Sequence, residues 1–209
     1  MKEEFSTFFE KRESLLRRLP AAKENYARFA KLLEFQWQKN QTELNIFSRK
    51  MSAGELFEKH FLDSLLALDL WPKGPKKVAD FGSGGGFPAL FLAIERPEQV
   101  FYLYEKSEKK QKFLQQAKSF LALKNVEIRG SIDDPKDMDL ITARAFKPIQ
   151  EILRLSPSHL KKGGTYLLYK GTMDRIQEEL HGLHVGNLEI IALNTLGLDM
   201  QRHMVKIES

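Results

Sequence analysis

The sequence contains no cysteine among its 209 residues. That excludes a disulfide framework, a cysteine-type zinc site and a thiol nucleophile, and it fits a reducing compartment. Long apolar runs are also missing. The longest, Phe87 to Ile94, has eight residues and includes Pro88, whereas a membrane-spanning helix needs roughly 18 or more. The first residues, Met1-Lys2-Glu3-Glu4-Phe5, carry charges of both signs and no apolar core of a secretion signal. The expectation is a cytoplasmic protein with no membrane association. Its five histidines show no metal-ligand spacing, and there is no internal repeat or low-complexity tract.

What is present is ordinary for a globular chain: 42% apolar and 29% charged residues. The length suits one large domain, or a domain with an extension. Lys and Arg number 33 against 28 Asp and Glu, a net charge of +5. Such a balance points only weakly to an anionic partner, and leaves nucleic acid open. No exposed apolar repeat argues for an oligomer, so a monomer is expected.

Residues 1–75 read as helical. Phe5, Phe8, Phe9, Leu15, Leu16 and Leu19 recur at helical spacing until Pro20. Tyr26, Phe29, Leu32, Leu33 and Trp37 form a second periodic stretch. Ser52-Ala53-Gly54-Glu55 is a capping box that should start a third helix. Trp71 to Pro75, with two prolines and a glycine, reads as a linker. Beyond it strands and helices alternate, with strands predicted at 78–81, 100–104, 126–129, 140–142 and 166–169 and the clearest helix at 109–123. This predicts an α/β fold with a mostly parallel sheet over 76–209. Two late strands, 189–193 and 204–207, are placed for an antiparallel pair.

The most informative segment is Val78-Ala79-Asp80-Phe81-Gly82-Ser83-Gly84-Gly85-Gly86-Phe87-Pro88. An apolar strand enters a turn with four glycines in five residues and leaves into an apolar helical stretch. Glycines permit sharp turns and close ligand approach. The following helix points free N–H groups at the turn. A dinucleotide fingerprint begun at Gly82 meets Phe87 where glycine is required; begun at Gly84, it puts Pro88 in the first helical turn and leaves Asp80 without a role. The form Asp80-x-Gly82-x-Gly84-x-Gly86 is instead the loop pattern of S-adenosylmethionine sites. Glu105 ends the second strand, where a carboxylate can accept from both ribose hydroxyls; a surface acid paired with Lys106 or Lys109 is the alternative.

In these residues and several further motifs the chain resembles the ribosomal RNA small subunit methyltransferase G family, also called the glucose-inhibited division protein B family. The resemblance runs from about Trp37 to Lys206. It is carried by the glycine loop ending in Gly86-Phe87-Pro88, by Lys59-His60-Phe61-Leu62-Asp63-Ser64, by Thr142-Ala143-Arg144-Ala145-Phe146, by Lys170-Gly171 and by Arg202-His203-Met204-Val205-Lys206. It implies a class I methyltransferase sheet, Rossmann-like with helices on both faces, behind an N-terminal helical extension. It implies S-adenosylmethionine as donor and guanine N7 of small-subunit (16S) ribosomal RNA, free or in the assembled subunit, as acceptor. Cofactor contacts then fall on Gly82, Phe87, Glu105 and Arg144, with the adenine-side pair at Ile132 and Asp133. Asp80 and Gly84 join them from the loop pattern. The chain departs from the family in having Ser131 before that pair, Glu105 for an aspartate, and an altered stretch from Trp37 to Phe47.

Guanine N7 carries an exposed lone pair and loses no proton on methylation, so no general base is required. Alignment of nucleophile, methyl carbon and sulfur is the main demand. Arg144, after a strand end, suits contact with the donor's methionine part or with guanine O6; an arginine paired on the surface is the plainer alternative. Lys170 suits a phosphate or the base; the plainer alternative is a solvated lysine beside a turn. His60 and Asp63 read as a structural pair or as packing against the glycine turn, and Phe87 with Pro88 as a ligand wall or as core. Lys106, Lys109, Lys110, Lys112 and Lys118 form either phosphate contacts or a solvated helix face. The N-terminal aromatics read as their own core. Rival readings are a methyltransferase with another acceptor, a non-catalytic ribosome-binding relative, and, disfavoured by Phe87 and Pro88, a nicotinamide oxidoreductase.

Overall fold

The computed structural model describes residues 2–19, 21–74, 76–132, 137–156 and 158–209. The first periodic stretch folds as two helices, α1 (Lys2–Lys11) and α2 (Glu13–Leu16), and breaks at Arg12 before the proline. The second forms α3 (Tyr26–Thr42). The capping box is present: Ser52 Oγ accepts from the Glu55 N–H at 3.2 Å, and the Glu55 carboxylate accepts from the Ser52 N–H at 3.0 Å. It opens α4 (Ala53–Leu56), which widens into a π-helical turn (Phe57–Leu62) and closes as α5 (Asp63–Leu65).

The sheet has seven strands: β1 (Lys77–Phe81), β2 (Val100–Tyr104), β3 (Val126–Arg129), β4 (Met138–Arg144), β5 (Leu160–Lys170), β6 (Leu188–Ala192) and β7 (His203–Glu208). Their order is β3-β2-β1-β4-β5-β7-β6. The first five are parallel; β7 runs antiparallel to both β5 and β6. The late antiparallel pair is therefore as the sequence indicates. Helix α6 (Ala89–Glu95) follows β1, and α7 (Glu108–Phe120) follows β2. Two further helices, α8 (Ile149–Leu155) and α9 (Met173–Leu180), follow β4 and β5. The chain reverses direction of travel across the sheet between β1 and β4, the place where open α/β sheets bind ligands.

Side chains alternate across the strands into two apolar layers. Val78, Phe101, Leu103 and Leu167 face α6, α7 and the N-terminal helices. Ala79, Phe81, Tyr104, Ile141 and Leu168 face α8 and α9. Phe61 joins the N-terminal helices to the sheet layer, with ring centroids 5.3 Å from both Phe29 and Phe91. The N-terminal aromatics are thus core, as read, but they share it with α6.

The segment read as a linker is firmly docked. Trp71 is buried, and its indole N–H donates to Gln99 Oε1 at 3.0 Å. Gln99 Nε2 donates in turn to the carbonyls of Pro72 at 2.7 Å and Gly74 at 3.0 Å. Orphaning a buried polar group costs about 1–3 kcal/mol. Gln99→Leu leaves the indole N–H and the two carbonyls without this partner, so urea unfolding should show a loss of at least about 2 kcal/mol.

Candidate functional site: a glycine loop beside a cationic cavity

The loop from Gly82 to Gly86 leaves the carboxyl end of β1 and enters α6 over Pro88. Gly82 and Gly84 hold φ of +72° and +51°, the left-handed region that side chains disfavour. A Cβ on Gly82 would also lie 2.3 Å from Phe146 Cδ2, so this position is closed by packing as well. At Gly84 a built Cβ would only touch its neighbours, the Gly82 carbonyl at 3.6 Å and Glu105 Oε2 at 4.0 Å, so the backbone angle, not packing, is what favours glycine there. From behind, the α3 residue Gln36 donates to the Gly85 carbonyl at 2.8 Å. The N-terminal helices thus hold the loop from the side away from the sheet.

Two carboxylates meet at this loop, in different states. Glu105 accepts from the Gly84 N–H at 3.0 Å and the Ser107 N–H at 2.9 Å, so one lone pair on each oxygen stays available. Asp80 is buried, and neither carboxylate oxygen has a hydrogen-bond partner. Ser83 Oγ donates instead to the Asp80 backbone carbonyl, at 3.0 Å. Burial pushes the Asp80 carboxyl up to about 7, against the pull of Arg144. An orphaned buried carboxyl, a side-chain-free loop at Gly84 and spare acceptors on Glu105 fit a ligand carrying an ammonium end and a ribose. These are the fragments of S-adenosylmethionine.

Arg144 ends β4. Its Nη1 donates to Asp63 Oδ2 at 2.7 Å, and its Nη2 meets His60 Nδ1 at 2.8 Å. Arginine only donates, so His60 Nδ1 carries the lone pair and the ring proton sits on Nε2. Burial, with Arg144, Arg202 and Lys59 nearby, pushes the His60 imidazole down to about 3. Asp63 Oδ1 also accepts from Arg202 Nε at 2.6 Å. The histidine and aspartate are therefore joined through the arginine, and Phe87 lies against the same group. Its ring is 5.3 Å from Arg144 Cζ, 4.8 Å from His60 and 5.6 Å from Phe91. Phe87 is at once core and wall.

Arg144 and Phe146 also line a cavity of about 530 Å³ at the carboxyl ends of β4 and β5. Six cations face it (Lys59, Arg144, Lys147, Lys170, Arg175, Arg202) with two acids, Asp63 and Glu179. Lys170 is not a solvated lysine. Its Nζ donates to Glu179 Oε2 at 2.6 Å and to the Lys147 carbonyl at 3.1 Å. Ile132 lies apart from this cavity: it is half-buried in the layer beneath Phe81, and its carbonyl meets His159 Nε2 at 2.5 Å. Asp133 lies outside the described residues. The lysines of α7 have no ion pair among the described residues, and Lys109 and Lys112 border a separate groove with Leu44 and Phe113. The sequence reading missed Arg175 and Glu179. The signal was there in Met173, Ile176 and Leu180, spaced for a helix straight after Lys170-Gly171.

Solved structures with the same architecture show the fold, a Rossmann-like one. A SAM dependent methyltransferase from Aquifex aeolicus superposes with a TM-score of 0.57 at 16% identity, over 74% of this chain and 92% of that one. A SAM-dependent O-methyltransferase from Thermotoga maritima gives 0.56 at 19% identity, over 85% and 71%. The family itself is read from sequence. The family described as GidB, rRNA small subunit methyltransferase G, matches residues 23–205. Ribosomal RNA small subunit methyltransferase G 1 of Bdellovibrio bacteriovorus is 38% identical over 97% of this chain and all of its own length. Ribosomal RNA small subunit methyltransferase G of Brachyspira hyodysenteriae is 34% identical over 88% of this chain and 90% of its own. This chain belongs to the rRNA small subunit methyltransferase G family.

The state of Asp80 sets a pH dependence. Its folded value lies above the ordinary 3.8, so the native state keeps a proton that the unfolded chain releases. Stability from this group is full at low pH and falls as pH rises from about 4 to about 7. At about 1.4 kcal/mol per pH unit the loss reaches roughly 4 kcal/mol. Asp80→Asn cannot titrate. The ligand-free variant should therefore gain in melting temperature relative to the parent as pH goes from 5 to 8; a constant difference would show that the carboxyl carries no such cost.

Proposed function

We propose that this protein transfers a methyl group from S-adenosylmethionine to N7 of a guanine in small-subunit (16S) ribosomal RNA, acting as a cytoplasmic monomer on the free RNA or the assembled subunit. The family and the names of its relatives support the RNA methyltransferase part. No helix among the described residues is long and apolar enough to cross a membrane.

The choice of N7 is supported by one observation: each histidine and carboxylate lining the cavity is already paired with a cation, Glu179 through one of its two oxygens. His60 Nδ1 accepts from Arg144, and Asp63 has a guanidinium on each oxygen. Glu179 Oε2 holds Lys170 and the Ile149 N–H. A site so committed suits an acceptor that gives up no proton.

S-adenosylmethionine, when bound, supplies an electrophilic methyl group on a sulfonium. Asp80 would take its ammonium end directly or through water, Glu105 its ribose hydroxyls, and Gly82 and Gly84 would leave room for it over the backbone. Phe87 forms a wall, and Ile132 with Asp133 is assigned to the adenine side. Arg144 makes three of its five possible hydrogen bonds within the protein. Its Nε–H and one Nη2 hydrogen remain to hold guanine O6, the atom beside N7. Lys170 has one of three Nζ hydrogens left for the base or a phosphate. Rate then comes from orienting the two partners in line, not from moving a proton.

Methyl transfer from labelled S-adenosylmethionine to small ribosomal subunits from cells lacking this protein should label one guanine, read by cleavage at 7-methylguanine. Label at another atom or base would overturn the acceptor. Gly84→Asp puts a side chain on a left-handed backbone and a second negative charge beside Glu105. S-adenosylhomocysteine binding, measured by calorimetry, should weaken by at least about a hundredfold with the circular dichroism unchanged. Retained affinity would move the donor site elsewhere.

A further inference from the structure

The cavity carries one acceptor that the protein itself leaves unused. Of its two acids, Asp63 has an arginine on each oxygen. Glu179 differs. Its Oε2 takes both the Lys170 ammonium at 2.6 Å and the Ile149 N–H at 2.9 Å, while its Oε1 accepts nothing among the described residues. The side chain is only 15% exposed, so its carboxylate is fixed from one side by the first turn of α8 and the end of β5. The structure thus holds a half-satisfied carboxylate at the wall of a cavity otherwise lined by cations.

A carboxylate held this way selects among bases. Guanine presents two adjacent donors, N1–H and N2–H₂, on the edge opposite N7. Adenine and cytosine each offer one donor beside an acceptor, and uracil one donor between two acceptors. An acceptor-only group in a poorly hydrated site favours paired donors and is opposed by a lone pair facing it. A base inside a cavity of this kind must be unstacked from its strand, as in other enzymes that act on bases. We propose that Glu179 selects the acceptor base by accepting, through its free oxygen, the N1–H and N2–H₂ donors of a guanine turned into the cavity. The assignment rests on the acceptor reading above. Arg175, one helical turn before Glu179 on α9, is exposed, makes no ion pair among the described residues and lines the same cavity, which leaves it free for the phosphate of the same nucleotide.

Inosine tests this directly, because it keeps N7, O6 and N1–H and lacks only the N2 amino group. Small subunits are rebuilt with guanosine or inosine at the labelled position, and kcat/KM is compared. The parent protein should prefer guanosine by about tenfold or more. In Glu179→Gln the amide oxygen is drawn to Lys170 and the Ile149 N–H, which turns the –NH₂ toward the base donors. The guanosine rate should fall and the preference should collapse to about twofold or less, with Glu179→Ala giving the same ratio. Arg175→Ala should weaken both substrates alike and keep the preference, as a phosphate contact does. A merely structural Glu179 would lower both rates together and leave the ratio unchanged; that result, or a parent protein indifferent to the amino group, overturns the proposal. A parent protein that methylates neither subunit overturns the acceptor reading itself, and the proposal with it.

Discussion

Asp63 stands between two guanidinium groups, and the site is built around that arrangement. A buried carboxylate without partners would be too costly to keep charged. Here Arg144 from the end of β4 and Arg202 from the approach to β7 each take one oxygen. The π-helical turn before Asp63 supplies a second partner for Arg144, His60 Nδ1 at 2.8 Å, and the His60 carbonyl also accepts from Ser64 Oγ at 2.6 Å. One side chain therefore fixes the helix of the N-terminal segment, the centre of the sheet and its antiparallel edge relative to each other. Removing it would leave two neighbouring cations without their counter-charge, so the residue sets geometry and charge together.

This arrangement explains why the N-terminal helices are part of the site. Gln36 holds the glycine loop through the Gly85 carbonyl, and Asn40 Oδ1 accepts from the N–H groups of Ile46 at 2.7 Å and Phe47 at 3.1 Å. Phe47 in turn lies 5.9 Å from the His60 ring. The stretch from Trp37 to Phe47 buttresses the histidine that orders Arg144. Its role is reached through packing, which a motif comparison does not register.

The parts of the fold legible in the sequence are those fixed by local physics. Apolar runs between turn signals marked all seven strands, including the half-buried edge strand β6, and the capping box marked the start of α4 because its two hydrogen bonds are local. The glycine loop was legible because φ above zero and close packing by Phe146 leave glycine little substitute at Gly82. Less legible were α8 and α9. They are short, and their apolar positions make sense only once the sheet face they cover is known. The docking of Trp71 was hidden for the same reason, since its partner Gln99 is 28 positions away. At the site, sequence identified Asp80, Glu105 and Arg144 as groups of interest, but not that Asp80 is orphaned, that Glu105 holds Gly84 from 21 positions away, or which groups hold Arg144. Asp63 lies 81 positions from Arg144 and 139 from Arg202.

Charge follows the same logic at larger scale. The net +5 of the chain says little, yet the fold gathers six cations around one cavity and spends two acids to order three of them. The acids keep the cations apart and oriented without neutralising the surface, and a polyanion can then be held by its phosphates while a base is positioned by fewer, better directed contacts. Lys170 illustrates the division. Tied to Glu179 and the Lys147 carbonyl, it keeps Glu179 in one orientation and has a single hydrogen left for the base or a phosphate. Arg175 and Lys59, further out, have the exposure that backbone contacts use. Affinity and selectivity are thereby assigned to different side chains of the same cavity, which is why the total charge of the protein predicts neither.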